Sequence, residues 1–320
     1  MRIFLSALEN NAKTTLDRCI KDNIKIPFGL VSFYYISKNK DGLENFKKTL
    51  QVCDYVLVDS GAHTFQKGTK VSWEEYSKQY AEFIKTYDCD KILGYFEMDV
   101  DVQIGYKKVL ELRKILNQAT NKIIPVWHKN RGIDEFKRMC KETPGDIVAV
   151  TGFRNEDITD NQYAGFVKYA WKCGKKIHCL GMTRQKVLNK VPFDFTDSSS
   201  WKLSATYGAL KVWSSKDHKL KTIDTKGKYA TDKLFFTNLM NYIKMVRYYN
   251  IKWSRINKDL YFKFGVRNFL LKLKLERKFN RYEKSKKIKK YNTNWCSSSI
   301  IRCIDIFSSP FFIWSNPIQN

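Results

Sequence analysis

Eight apolar, β-branched runs recur through the first two hundred positions of the chain, at residues 2–6, 27–35, 54–59, 91–98, 122–127, 146–151, 176–181 and 193–197. Their hydrophobicity is continuous rather than alternating, which marks strands covered on both faces, as in a parallel sheet. Helical patterns lie between them. Ser72-Trp73-Glu74-Glu75 has the form of a capping box, and Tyr76, Tyr80, Phe83 and Ile84 follow on one stripe. Val109, Leu112, Ile115 and Leu116 repeat the 3.6-residue period, as do Tyr163, Phe166, Val167, Ala170 and Trp171, with Gly174 as the stop. Strands and helices in alternation predict an α/β fold, a (β/α)8 TIM-type barrel, with a doubly wound open sheet as the alternative.

Composition adds a partner class. The chain carries 58 Lys+Arg against 32 Asp+Glu, a net +26, which points to a polyanion such as nucleic acid. Residues 252–290 alone hold 15 basic and 3 acidic residues, +12 of that total. The chain therefore divides into a barrel over residues 1–250 and a basic, mainly helical, aromatic-rich extension over 251–320. In the extension, Lys272, Lys274, Arg277, Lys278 and Arg281 are the candidate phosphate contacts, and Trp253, Tyr261, Phe262 and Phe279 offer stacking faces. The same aromatics could equally form the buried stripe of helices. Leu234, Phe235, Leu239, Ile243 and Val246 mark a long amphipathic segment that would close the barrel.

Other classes recede. No apolar run reaches the ~18 residues of a membrane span, and Met1 to Leu8 does not read as a secretory leader, so a cytoplasmic setting, in a bacterial or phage-infected cell, is expected and no membrane partner. The eight cysteines contain no C-x-x-C, so neither disulfides nor a metal site is expected. Neither G-x-G-x-x-G nor a Walker loop occurs, so no cofactor is expected.

A barrel places its chemistry at the carboxyl ends of its strands. Those ends read Asp59-Ser60-Gly61-Ala62-His63, Glu97-Met98-Asp99-Val100-Asp101, His128-Lys129-Asn130, Gly152-Phe153-Arg154, Gly181-Met182-Thr183 and Asp197-Ser198-Ser199-Ser200. Each residue alone has a structural reading: an aspartate can cap the next helix, as Asp101 would for a helix starting near Gly105, and a glycine can serve a tight turn. Carboxylates, histidines and glycines converging on one rim make a site.

Asp59-Ser60-Gly61 resembles the D-S-G-G-F-Q motif of the tRNA-guanine transglycosylase superfamily, whose members exchange guanine for a 7-deazaguanine in nucleic acid. His178-Cys179-Leu180-Gly181-Met182, followed by Phe195-Thr196-Asp197, is similar to that family's L-M-G-V-G segment leading to M-F-D. Met98-Asp99 matches its F-D, and Val150-Thr151-Gly152 its G-G-L loop. The resemblance spans roughly residues 55–200. It implies Asp197 as nucleophile on C1′ and Asp59 as general acid/base. Asp99 would accept hydrogen bonds from the purine, with His128, Gly152, Met182 and His63 around it. The base would have to leave its stack to reach the rim.

Ala62 replaces the second glycine of the motif, His128 stands where the tRNA enzymes present a glutamine, and the C-x-C-x2-C zinc motif is missing: no cysteine lies between Asp197 and Cys296. The missing zinc motif directs the resemblance toward the DNA-modifying 7-deazaguanine branch, with DNA (or tRNA), a free 7-deazaguanine base and a duplex-opening protein or helicase as partners. An N-glycosidase and a catalytically silent nucleic-acid-binding barrel are the alternatives.

Overall fold

The computed structural model describes residues 1–10, 13–66, 71–151 and 158–254. All eight apolar runs become strands: β1 (Arg2–Ser6), β2 (Ile26–Ser32), β3 (Cys53–Asp59), β4 (Ile92–Phe96), β5 (Ile123–Ile124) with β6 (Val126–Trp127), β7 (Ile147–Thr151), β8 (Lys176–Leu180) and β9 (Phe195–Ser198). β5 and β6 are two halves of one run, divided at Pro125, which has no N–H to give to the ladder. Its carbonyl still accepts from the Ala149 amide at 2.9 Å. The first half pairs with β4 and the second with β7, every pairing is parallel, and β9 returns to β1 through Arg2↔Phe195 and Phe4↔Asp197. The wall is thus a closed, eight-position (β/α) barrel, and the open sheet is excluded.

The barrel interior follows from the two-residue period of its strands. Phe4 packs on Phe28 at 5.4 Å and Phe195 at 5.8 Å between ring centroids, and Arg2 lies over Phe28, Tyr55 and Phe195 one layer lower. Two steps further along the same strands, Phe195 gives way to Asp197, Tyr55 and Leu57 to Asp59, and Phe4 to Ser6. An aromatic plug therefore ends in a layer of polar groups at the carboxyl rim.

Helices fix that layer from outside. The helix Trp73–Tyr87 buries Tyr76, Tyr80, Phe83 and Ile84 as its periodicity predicts. Tyr76 Oη donates to the Ser60 carbonyl at 2.7 Å and Tyr80 Oη to the Val58 carbonyl at 3.2 Å, clamping the end of β3 that carries Asp59. Ser72 is the N-cap, but its hydroxyl makes no capping bond. The stretch read as one strand to residue 35 turns at Ser32 into the helix Phe33–Lys38. Phe33 there packs against Tyr76, Tyr80 and Phe83, so tertiary packing overrides its strand preference.

The return from β9 to β1 holds more than one helix. A short helix, Ser200–Thr206, leads into a hairpin of β10 (Ala209–Ser214) and β11 (Lys219–Asp224), and the closing helix Thr231–Ser254 follows. Trp201, fully buried, donates from Nε1 to the Ser6 carbonyl at 2.9 Å. Asn238 of the closing helix bonds the Trp201 and Ala209 carbonyls at 3.1 and 3.0 Å and accepts from the Lys211 amide at 2.7 Å. The closing helix buries Leu234, Phe235, Leu239, Ile243 and Val246 and runs past residue 250. The chain's first compact unit is Met1–Lys258. Lys272, Lys274, Arg277, Lys278 and Arg281 lie outside the described residues, as does Gly152. Among the described residues, no helix is long and apolar enough to cross a membrane.

Candidate active site

Asp197 points up from β9 at the centre of the rim and is held by three donors. His178 Nε2 lies 3.0 Å and the Gly181 amide 2.7 Å from Oδ1, while Ser6 Oγ lies 3.1 Å from Oδ2. Only 15% of its side chain is exposed. His178 sits wholly buried between Phe4 and Phe96, and its Nδ1 has no partner. The ring therefore carries its proton on Nε2 and donates it to Asp197, because a proton on Nδ1 would have no acceptor. Two donors occupy Oδ1 and one longer bond reaches Oδ2, which keeps a lone pair for other work.

Asp59 ends β3 beside it. Desolvation dominates its environment and pushes its carboxyl up to about 7, against the pull of the Gly61 amide, 3.0 Å from Oδ2; the nearby charges of Asp197 and Asp99 raise it further. Asp59, Asp99 and Asp197 all stand at or just past the carboxyl ends of parallel strands of one barrel wall, which brings them to the same rim. Gly61 makes the turn possible. Its φ is +74°, and a Cβ there would stand 2.4 Å from Tyr34 Cβ and 2.6 Å from Ser32 Oγ. Ala62, at the position of the family's second glycine, is buried, and His63 is exposed on the short helix Ala62–Gln66.

Asp99 and His128 meet directly. His128 Nε2 lies 2.7 and 2.8 Å from the two Asp99 oxygens, and Arg131 Nη2 reaches Oδ1 at 3.3 Å. Burial works against the His128 cation, but the Asp99 carboxylate outweighs it and the pKa is raised. Met182, by contrast, is fully buried and offers the rim no side-chain surface; its carbonyl accepts from Thr196 Oγ1 at 2.8 Å.

Beneath Asp99 lies an ion network that sequence reasoning missed. Arg131, 1% exposed, donates to Glu97 Oε1 at 3.2 Å, Asp99 Oδ1 at 3.3 Å and Asp101 Oδ2 at 3.0 Å, and also to the Val126 carbonyl. Arg113 Nε reaches Glu97 Oε2 at 2.5 Å, and the Val126 amide donates to Glu97 Oε1 at 2.8 Å. Asp101 is therefore no helix cap: it opens a short helix but makes no capping bond, and it takes Arg131 and Asn130 instead. Burial raises its pKa, yet Arg131 outweighs that and leaves it lowered. Asp99, Asp101 and His128 have ligand atoms within 4.8 Å of one another, a spacing suited to a metal ion. Arg131 already supplies the positive charge that these carboxylates require.

Glu9, just past β1, was also missed. It is 1% exposed, its Oε2 has no hydrogen-bond partner, and burial pushes its pKa up to about 7 although Lys202 pulls it down. The folded pKa exceeds the unfolded 4.5, so the stability tied to its proton is full below that value and is lost as pH rises through 7. Glu9→Gln removes this titration. The variant is expected to be more stable than wild type at about pH 8, by up to ~3 kcal/mol, with the gap closing toward acid pH. Urea unfolding across that range checks it, and parallel pH profiles for the two proteins would contradict it.

At the opposite mouth a cavity of about 340 Å³ is lined by Arg2, Ile92, Asn121, Gly145, Lys176 and Phe195 among others. Lys176 is paired there with Asp146 at 3.4 Å, and the amino-terminal face of a barrel generally serves stability.

No protein-family model matches the chain, and no curated protein does. Among solved structures, it is similar to a "putative fructose-1,6-biphosphate aldolase" from Coccidioides immitis, at 9% identity and a TM-score of 0.46 over 80% of this chain and 91% of that one. QR15, an aldolase, gives 16% identity and a TM-score of 0.40 over 62% and 90%. An enolase protein from environmental sequencing of the Sargasso Sea gives 12% and 0.34 over 62% and 54%. Likenesses at this level carry no chemistry to this chain, whose fold class rests on its own strand pairing.

Proposed function

We propose that the protein is an enzyme, a base-exchange transglycosylase that replaces guanine in DNA with a 7-deazaguanine. The observation that carries this reading is the presence at one rim of two carboxylates in unlike surroundings: Asp197, held by three donors, and Asp59, desolvated and raised to about 7. Asp197 Oδ2 attacks C1′ as the C1′–N9 bond breaks, and Asp59 gives its proton to the departing guanine. The incoming base then displaces Asp197 from C1′ and returns its proton to Asp59. A group near neutrality suits both directions of that transfer. Asp99 Oδ2, contacted among the described residues only by His128, keeps acceptor capacity for the purine's N1–H and amine.

His178 is a positioning residue in this scheme, since it fixes Asp197 without reaching the rim itself. The missing zinc motif favours DNA over tRNA, because no cysteine stands between the nucleophile and residue 296.

The test is incubation with labelled guanine and either duplex DNA or tRNA, using wild type and Asp197→Ala. Label entering DNA only with wild type is the expected result, and no exchange into either polymer, with any 7-deazaguanine tried, would overturn the reading. Base release without incorporation would identify an N-glycosidase instead.

The pH profile supplies a second check. Asp59 must be protonated to release guanine, so kcat/KM for exchange is expected to fall about tenfold per pH unit above about 7. Asp59→Asn should be slow and flat over the same range. A wild-type profile without that limb would remove Asp59 from the acid role.

A further inference from the structure

The connection from β9 to the closing helix carries seven lysines and three aspartates between residues 207 and 233. On the helices around the barrel, four lysines have carboxylate partners: Lys48 with Asp17 and Glu44, Lys78 with Glu74, Lys108 with Glu111, and Lys137 with Asp134. In this connection, Lys221 with Asp217 is the one lysine–carboxylate pair seen among the described residues.

We propose that Tyr207, Lys226, Lys228, Tyr229 and Lys233 form a surface that holds the phosphate backbone of the nucleic acid whose base enters the barrel. The inference rests on the function proposed above and names how that substrate is gripped.

Position is the first argument. β9 delivers the chain to the rim at Ser198, next to Asp197, and the helix Ser200–Thr206 lies over the loop after β1 through the Trp201–Ser6 bond. Tyr207 follows directly and is 78% exposed. The hairpin then runs along the closing helix, where His218 stacks on Tyr248 at 4.3 Å, and it returns at Thr225 to Gly208, just past the end of the helix Ser200–Thr206. Buried Thr225 donates from Oγ1 to the Gly208 carbonyl at 2.6 Å and from its amide at 3.2 Å. Residues 226–233 are therefore presented from a pinned base, and all are exposed.

Chemistry is the second. Lys226 and Gly227 both have positive φ, at 48° and 74°, which turns the chain sharply between Lys226 and Lys228. The Asp224 carboxylate is taken by the Lys226 amide, not by its ammonium. Lys233 lies 5.0 Å over the Tyr229 ring. Asp232 is the acidic group within the surface, one charge against three. Ammonium groups without carboxylate partners among the described residues, beside exposed phenol rings, match a sugar-phosphate chain with unstacked bases.

The experiment measures binding of full-length protein to labelled duplex DNA, single-stranded DNA and tRNA across a salt series, by fluorescence anisotropy. The variants are the triple Lys226→Gln, Lys228→Gln, Lys233→Gln and the double Tyr207→Ala, Tyr229→Ala, both at exposed sites. The triple is expected to bind on the order of 10- to 100-fold more weakly near 0.1 M salt, with the log–log slope on duplex DNA smaller by about 3. The polymer showing the larger loss identifies the backbone held. The double is expected to weaken single-stranded binding most. Unchanged affinity and slope in the triple, with wild type binding normally, would overturn this surface and leave the proposed exchange reaction standing. Failure of wild type to bind any of the three would overturn both.

Discussion

Asp197→Asn is expected to lower the rate of base exchange by at least about 10³-fold while leaving the fold intact. The substitution keeps the shape of the side chain and leaves an acceptor for the Gly181 amide, now 2.7 Å from Oδ1. It removes the charge that, in the proposed reaction, forms the bond to C1′ and offsets the oxocarbenium character of the transition state. An interaction made only there affects kcat with little change in KM. The decisive readout is covalent: acid-quenched wild type incubated with DNA should carry a nucleotide-bearing mass increment, and the variant should carry none. An asparagine variant retaining a tenth of the wild-type rate would exclude Asp197 as nucleophile, and the carboxylate would then serve only the packing of β1 against β9.

The largest effect on stability is expected at Arg131. Its guanidinium is the shared partner of Glu97, Asp99 and Asp101, and the Glu97 and Asp101 side chains are 0% and 3% exposed. Arg131→Met leaves Asp101 without its ion partner and Glu97 with only Arg113. Breaking a buried pair from one side costs about 3–5 kcal/mol, because the remaining charge stays desolvated. For a domain of this size that corresponds to a fall in Tm of roughly 10 °C. Arg131→Lys should recover little, since an ammonium cannot span three carboxylates in one plane. Restoring most of the loss in an Asp101→Asn, Arg131→Met double variant would confirm the electrostatic origin; a loss under about 1 kcal/mol in the single variant would contradict it.

The strands were legible because burial on both faces leaves a continuous apolar run, which survives even the break at Pro125. Asp59 and Asp197 could be found as polar residues ending such runs, two positions beyond inward-facing Leu57 and Phe195. His178 was quoted only as part of a motif, since nothing in an apolar stretch tells a histidine that orients a nucleophile from one that fills space. Arg131 and its partners stand 30 or more residues apart, joined only when two strand ends become neighbours. Glu9 lies outside every run and gave no signal. The hairpin at Ala209–Ser214 and Lys219–Asp224 presents neither a continuous apolar run nor a clean alternation, so nothing in the sequence marks its strands.

The joining of β9 to β1 has a consequence for the making of the protein. Ser6 and Asp197 are 191 residues apart, so the wall is completed by nearly its last strand. Through most of synthesis β1 has an unfilled edge, the kind of exposed ladder that chaperones shield. The same late strand brings Asp197, the nucleophile of the proposed reaction. Under the proposed function, a chain released from the ribosome before residue 195 would be both unclosed and chemically inert, so an unfinished barrel would have no reacting group with which to damage nucleic acid.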